Sequence, residues 1–167
     1  MPNAFNHIAV SVTDIKQAMR WYRDILGMTV LVSPFEISSQ PSKPEDMEIS
    51  QRVKTIFGPN FGRLLICHMS SANGVGLELF QFIKPKAERR DRDTNFEYWK
   101  TGFFHIAITE PRIEELANRI ALSGGRKRTE VMELDSSSNK KICFCEDPDG
   151  NIIEIYSRSY EQFWSNS

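Results

Sequence analysis

Two short segments of the sequence decide the fold: residues 7–10 read HIAV, and residues 105–108 read HIAI. Each begins with a histidine in an alternating β pattern, and a helical pattern follows each of them along the chain. Two further segments match in the same way, because GLELF at 76–80 and IIEIY at 152–156 both hold a glutamate inside an apolar strand. The chain is therefore interpreted as two copies of one unit, with a histidine on the first strand and a glutamate on the last.

Each copy is predicted to follow the order strand, helix, three strands. Asp14 and Gly27 are predicted to begin and end the helix of the first copy, a strand is predicted around 126–133, and DPDG at 147–150 predicts a hairpin turn. The interval from histidine to glutamate is longer in the first copy, and the extra length falls in a polar segment broken by Pro41, Pro44 and Pro59. Insertions of this kind often form lids or binding loops. The predicted organisation is a first module at 1–85 with an inserted loop at about 34–62, a linker at 86–101, a second module at 102–157 and a tail at 158–167.

Composition excludes several classes of protein. The 167 residues are 40% hydrophobic and 26% charged, which is ordinary for a globular chain and excludes a disordered one. A formal net charge of -1 argues against electrostatic binding of nucleic acid. No window reaches the ~18 apolar residues of a membrane span, and the N-terminus does not read as a signal peptide. Three cysteines without a C-x-x-C motif fit reduced thiols, so we expect a cytoplasmic protein.

Four residues carry the candidate chemistry: His7, Glu78, His105 and Glu154. Taken singly, a glutamate in such a strand fits a solvated face, and a histidine fits an ordinary core or surface position. Both residue types recur at equivalent positions of both copies, however, and two such units side by side would bring two imidazoles and two carboxylates to one point. That donor set suits a divalent transition metal.

Four motifs carry a resemblance to a known family: NHIAV at 6–10, WYRDILGM at 21–28, FHIAI at 104–108 and EDPDGNIIE at 146–154. Together they resemble the vicinal oxygen chelate superfamily, which includes glyoxalase I, methylmalonyl-CoA epimerase, extradiol dioxygenases and the fosfomycin and bleomycin resistance proteins. The resemblance covers nearly the whole chain. It implies an α+β fold in which two tandem βαβββ modules form a cupped eight-stranded mixed sheet around a metal site, often completed in a homodimer.

The resemblance is closest in ligand set to glyoxalase I. It implies that His7, Glu78, His105 and Glu154 bind one divalent metal ion, which would be Ni, Zn, Co, Mn or Fe. The implied activity is a lyase or isomerase reaction on a small oxygen-chelating molecule, by proton transfer through a metal-bound enediolate. Glu154 is the first choice for the proton-transfer residue, and Glu78 is the second. Ser11 stands where glutathione-dependent members usually carry an arginine, which argues against glutathione itself as the thiol.

Two other enzyme classes use part of the same ligand set. An Fe(II) extradiol dioxygenase would need only His7, His105 and Glu154, and Glu78 would then be a bystander. Such enzymes also tend to need an additional histidine near the metal, and the remaining candidate, His68, is expected at the surface. A thiol transferase that acts on an antibiotic uses the same three ligands.

A metal-free binding protein of the bleomycin-resistance type is the alternative from another class. Such a protein holds its ligand in an aromatic cleft, which Trp21, Phe80, Trp99 and Phe103 would line. The complete set of histidines and glutamates argues against this alternative, because binding alone does not need metal ligands.

Overall fold

A computed structural model describes residues 3–89, 98–135 and 139–165. The chain forms two compact units, Met1–Arg89 and Arg90–Ser167. The predicted linker at 86–101 lies partly outside the described residues, and so does the end of the predicted tail.

Unit 1 contains a four-stranded mixed sheet with the strand order β1-β4-β3-β2 in the described chain. β1 and β4 are parallel, whereas β4, β3 and β2 pair antiparallel. The predicted insertion is partly regular, because β2 extends to Ser38 and a 3-10 turn and a helix follow it. The elements are β1 (His7–Ser11), α1 (Ile15–Leu26), β2 (Thr29–Ser38), the 3-10 turn (Pro44–Asp46), α2 (Met47–Phe57), β3 (Arg63–Ser70) and β4 (Gly76–Lys84).

Helix α1 begins and ends at the residues that the sequence indicates. The side chain of Asp14 accepts a hydrogen bond from the backbone N–H of Gln17, which caps the first turn. Gly27 ends the helix with a φ of 70°, a left-handed conformation that glycine adopts without strain. The buried residues of α1 include Trp21 and Tyr22, and the helix contacts β2, β3 and β4. The helix therefore covers one face of the sheet.

Strand alternation divides the sheet of unit 1 into two chemically different faces. On β4, Leu77 and Leu79 are buried, whereas Glu78, Phe80 and Phe82 point to the other side and are partly accessible. The sheet thus offers one apolar face to the core and a second face that combines charged and aromatic side chains.

Unit 2 repeats the arrangement with a sheet ordered β5-β9-β8-β6, in which β7 also pairs with β8. β5 and β9 are parallel, as β1 and β4 are in unit 1. The single strand predicted around 126–133 is two short strands, both paired with β8. The elements are β5 (Ile106–Thr109), α3 (Ile113–Leu122), β6 (Arg126–Lys127), β7 (Met132–Asp135), β8 (Lys140–Glu146), β9 (Ile152–Tyr156) and α4 (Tyr160–Trp164).

The predicted α+β class with two repeated modules is confirmed. Within the described residues the sheets have four and five strands, because the strand predicted around 126–133 is divided. The tail forms α4, whose Phe163 is buried and packs edge-on against Tyr156 at 4.7 Å between ring centroids. No helix in the described ranges combines the length and the apolar character that crossing a membrane requires.

A buried ion cluster joins β6 to β8 in unit 2. The carboxylate of Glu146 is only 2% exposed and accepts hydrogen bonds from Arg126 Nη2 at 2.7 Å, from Arg126 Nε at 3.1 Å and from Arg128. A buried carboxylate is stable only when such partners replace its hydration. The motif EDPDGNIIE at 146–154 shows where β8 ends, but it does not indicate that Glu146 is buried.

We predict that Glu146→Gln lowers the free energy of unfolding by about 2–3 kcal/mol, because charge-assisted bonds to two guanidinium groups are lost in a buried place. Urea unfolding monitored by circular dichroism measures the change. The matched control is Glu130→Gln, since Glu130 forms an exposed pair with Lys127 in the same unit. The control should leave the unfolding midpoint nearly unchanged. Equal midpoints for the two variants would contradict a stabilising role of the buried cluster.

Candidate functional site

The first candidate pair lies on the parallel strands β1 and β4 of unit 1. His7 Nε2 is 3.5 Å from Glu78 Oε2, and Ala9 lies directly beside Glu78 in the register of the two strands. Gly76 lies beside His7, where an added Cβ would come within 2.9 Å of the His7 Cβ. A glycine at 76 therefore leaves the room that the imidazole needs.

Asn6 lies within hydrogen-bond distance of the His7 nitrogen that faces away from the carboxylate. His7 Nδ1 is 2.7 Å from Asn6 Oδ1, an oxygen that accepts hydrogen bonds. When Nδ1–H donates to Asn6, the neutral imidazole presents the bare lone pair of Nε2 towards the Glu78 oxygen. Two acceptors that face each other become favourable only with a proton or a metal cation between them. Asn6 belongs to the first sequence motif, but the pattern gave it no role.

His68 is a third polar residue of this site, although the sequence pattern predicts a surface position for it. It lies beside Glu78 in the β3–β4 register, and its Nδ1 is 3.2 Å from Glu78 Oε1. Its ring stacks on Phe35 with 6.1 Å between the centroids. The two oxygens of Glu78 therefore face two different imidazoles. Side chains alternate along β3, so His68 lies on the same face as Leu64 and Ile66. This alternation is the sequence signal that places His68 on the sheet face that carries Glu78.

A cavity of about 570 Å³ opens between α2 and this face of the sheet. Its polar end is formed by His7, His68 and Glu78. The rest of its wall is mainly apolar and comprises residues of the sheet, among them Phe35, Ile66, Phe80 and Phe82, and residues of α2, among them Ile56 and Phe57. Ser11 also lines the cavity. The predicted insertion thus supplies one wall of a pocket that ends at the candidate ligands.

The second candidate pair repeats this geometry within unit 2. His105 Nε2 is 3.1 Å from Glu154 Oε2, and Ala107 lies beside Glu154 as Ala9 lies beside Glu78. The environment is different, because Phe144 takes the place beside Glu154 that His68 takes beside Glu78. The ring of Phe144 is edge-on to His105 at 5.8 Å. This pair is therefore more enclosed by apolar atoms than the pair in unit 1.

Burial changes the acid–base chemistry of Glu154. The loss of hydration raises the pKa of its carboxyl, and the nearby His105 and a hydrogen bond with Tyr156 oppose this shift only in part. The Glu154 side chain is 7% exposed, compared with 23% for Glu78. Within the described chain, the buried Nδ1 of His105 has no hydrogen-bond partner. This pair thus combines a carboxyl group whose charged form is disfavoured by burial with an unsatisfied ring nitrogen.

The donor types in the two pairs fit a divalent cation. Imidazole nitrogen and carboxylate oxygen are ligands for Zn, Ni, Co, Mn and Fe, and the buried carboxylate of Glu154 favours a positive charge beside it. Among the described residues, no group of three or more His, Cys, Asp or Glu side chains is arranged to hold a metal ion by itself. Each unit thus offers two of the four predicted ligands.

The aromatic cleft that the binding-protein alternative requires is only partly present. Phe80 lines the cavity of unit 1, but Trp21 is buried in the core and packs edge-on against Tyr22 at 5.2 Å. Trp99 and Phe103 are exposed. The aromatic rings at the cavity belong instead to residues of β2, α2 and β4 that the sequence pattern did not single out.

Comparison with known proteins identifies the fold. The model of the glyoxalase/bleomycin resistance protein/dioxygenase superfamily matches residues 4–155. A glyoxalase family protein from Bacillus cereus has a similar structure, with a TM-score of 0.69, 17% identity and 91% of each chain covered. A glyoxalase/dioxygenase from Nostoc punctiforme gives a TM-score of 0.57 at 21% identity, over 92% of this chain and 89% of that one.

Glyoxalase I from Zea mays is also similar, with a TM-score of 0.59 and 19% identity over 93% of this chain and 44% of the longer maize chain. No curated protein matches the sequence. At these identities the solved structures establish the architecture and leave the reaction open.

The raised pKa of Glu154 leads to a prediction for the metal-free protein. Because the folded state holds the proton more tightly than the unfolded state does, stability falls as the pH rises from about 4, the ordinary value for glutamate, to the higher pKa of the folded state. Glu154→Gln removes this fall, so its stability relative to the parent should increase with pH over that window and then level off. Urea titrations in the presence of a chelator at several pH values measure the difference.

Glu130→Gln controls for the loss of one negative charge at an exposed position of the same unit. A stability difference between Glu154→Gln and the parent that stays constant from pH 4 to pH 8 would contradict the role assigned to burial.

Proposed function

This chain belongs to the glyoxalase/bleomycin resistance protein/dioxygenase superfamily, and we propose that within it the protein is a divalent-metal-dependent, glyoxalase-like lyase or isomerase. The proposed ligands are His7, Glu78, His105 and Glu154, and the proposed metal is Ni, Zn, Co, Mn or Fe. One observation carries the proposal: each unit places an imidazole and a carboxylate in contact across parallel strands in the same register. Stability of the fold does not by itself require an imidazole and a carboxylate at the same place in both units.

When bound, a divalent cation supplies Lewis acidity towards neighbouring oxygen atoms of a small substrate. The residues of the chain then have separate tasks. Asn6 holds His7 in the tautomer whose Nε2 carries the lone pair. A carboxylate takes a proton from one carbon of the substrate and returns it to the neighbouring carbon.

Glu154 is the first choice for this proton transfer, because burial raises its pKa towards the range in which a general base works at neutral pH. Glu78 is the second choice, and its position at the polar end of the cavity supports it.

The proposal also includes a homodimer and a cytoplasmic location. The three buried free cysteines fit a reducing compartment. Light scattering of the purified protein measures the oligomeric state.

Metal binding tests the proposal directly. We predict that protein purified without a chelator binds about one equivalent of Ni, Zn, Co or Mn, and that Glu78→Gln lowers this affinity at least about ten-fold. Competition with a chromophoric chelator measures the affinity, and thioester formation from the hemithioacetals of methylglyoxal with glutathione and with 2-mercaptoethanol measures the isomerase activity. Glu78→Gln should reduce both quantities.

Glu36→Gln is the matched control, because Glu36 is an exposed carboxylate of the same sheet and does not line the cavity. Unchanged metal affinity in Glu78→Gln would remove Glu78 from the ligand set. Less than roughly 0.1 equivalent of metal, with no uptake of added Ni, Zn or Mn, would favour the metal-free binding protein.

A second candidate, an Fe(II) extradiol-type dioxygenase, is favoured by the position of His68. This class was expected to need a further histidine near the metal, and His68 lies at the same end of the cavity as His7 and contacts Glu78. Oxygen consumption with catechol after anaerobic loading with Fe(II) distinguishes the two reactions. Under this alternative, Glu78→Gln leaves metal affinity and oxygen consumption nearly unchanged.

A further inference from the structure

We propose that the substrate carries an uncharged, flat apolar group, and that this group binds between α2 and the sheet of unit 1 while the polar end of the substrate faces His7 and Glu78. The inference rests on the proposed function and adds to it the chemical class of the substrate. Its basis is the cavity of unit 1, which lies wholly within the described residues of that unit.

The size and the walls of the cavity fit an aromatic ring. A volume of about 570 Å³ lies within the range of pockets that enclose small organic molecules. Phe80 and Phe82 stand side by side with nearly parallel rings, 6.0 Å between centroids, and Phe57 of α2 meets both rings edge-on at 5.9 and 5.1 Å. Flat surfaces and ring edges of this kind favour another ring in stacked or edge-on contact.

Helix α2 packs on the sheet through a few buried residues and leaves other apolar side chains partly uncovered. Val53 is buried with Ile37, Phe61, Leu64 and Ile66, and this cluster anchors the helix. Ile56 is 71% exposed and Phe57 is 41% exposed, although both line the cavity. Covering such surface is favourable in proportion to its apolar area. An apolar ligand in the cavity would therefore gain contact with these side chains without moving the anchor.

The charges at the cavity indicate that the apolar group carries no negative charge. Of the described residues that line the cavity, Arg52 is the one with a permanent positive charge, and its side chain is 71% exposed and paired with Glu48 one turn earlier on α2. Ser11 supplies a hydroxyl on the β1 side of the same cavity. Among the described residues, the cavity has no buried cation that would replace the hydration of a carboxylate buried there. The cavity thus disfavours a tripeptide thiol with two carboxylates and favours a neutral body.

Three hydroxamic acids test the inference on the nickel-loaded protein, because each has the same pair of adjacent oxygens and a different body. The probes are acetohydroxamic acid, benzohydroxamic acid and 4-carboxybenzohydroxamic acid, and isothermal titration calorimetry measures their dissociation constants. We predict that benzohydroxamic acid binds at least ten-fold more tightly than acetohydroxamic acid, and that the 4-carboxy derivative loses at least ten-fold relative to benzohydroxamic acid.

Variants on α2 locate the effect. Phe57→Ala and Ile56→Ala should reduce the preference for the phenyl group and leave the affinity for acetohydroxamic acid unchanged. Met47→Ala is the matched control, because Met47 is an exposed apolar residue of α2 that does not line the cavity. Thermal unfolding of each variant verifies that the fold is retained. Because Ile56 is mostly exposed, its variant keeps the test valid if Phe57→Ala fails to fold.

Metal-free protein separates the failure of this inference from the failure of the proposed function. In metal-free protein, the fluorescence of 2-naphthol should change when 2-naphthol binds. Phe57→Ala should weaken this binding, and Met47→Ala should leave it unchanged. Binding of 2-naphthol without any uptake of nickel would contradict the proposed function and support the apolar subsite. Hydroxamic acids that bind the nickel-loaded protein with equal affinity, or 2-naphthol that does not bind, would overturn the inference.

Discussion

Contact between an imidazole nitrogen and a carboxylate oxygen on two parallel strands is the constraint on which the candidate site depends. His7 on β1 contacts Glu78 on β4, and His105, the residue before β5, contacts Glu154 on β9. Because side chains alternate along a strand, a shift of one residue would turn Glu78 or Glu154 to the opposite face of its sheet. In both units an alanine two positions after the histidine lies beside the glutamate. Parallel pairing needs a crossover between the two strands. In unit 1 the crossover contains α1, β2, α2 and β3, and in unit 2 it contains α3, β6, β7 and β8.

Both units contain this contact, but the residues that surround it differ between the units. In unit 1, His68 lies beside Glu78, and the connection between β2 and β3, residues 39–62, is long enough to hold α2 above the sheet. In unit 2, Phe144 lies beside Glu154, and residues 136–139 alone connect β7 to β8. Glu78 is therefore accessible from a cavity, whereas Glu154 is buried and the loss of hydration raises the pKa of its carboxyl. The surroundings of the two carboxylates thus differ in polarity and exposure, although each carboxylate contacts a histidine.

The sequence predicts the features that depend on local patterns. The repeat of HIAV and HIAI, Asp14 and Gly27 at the ends of α1, and the hairpin after Glu146 all follow from residue order. Burial of Glu146 between two arginines depends on the pairing of β6 with β8, which no local pattern contains. The contact of His68 with Glu78 likewise depends on the register of β3 against β4. The segment at 49–57 contains apolar residues at helical spacing, but its position over the cavity is a tertiary property that the sequence pattern does not express.

The burial of Glu154 has a direct relation to the proposed chemistry. A buried carboxylate whose hydration is only partly replaced reduces the stability of the folded chain. A residue chosen for stability alone would remove this cost, for example an amide in place of Glu154. Under the proposed function, a cation that binds the folded state would offset this cost, and its binding energy would add to stability. Local conflicts of this kind are expected at functional positions, because packing would otherwise select an apolar residue.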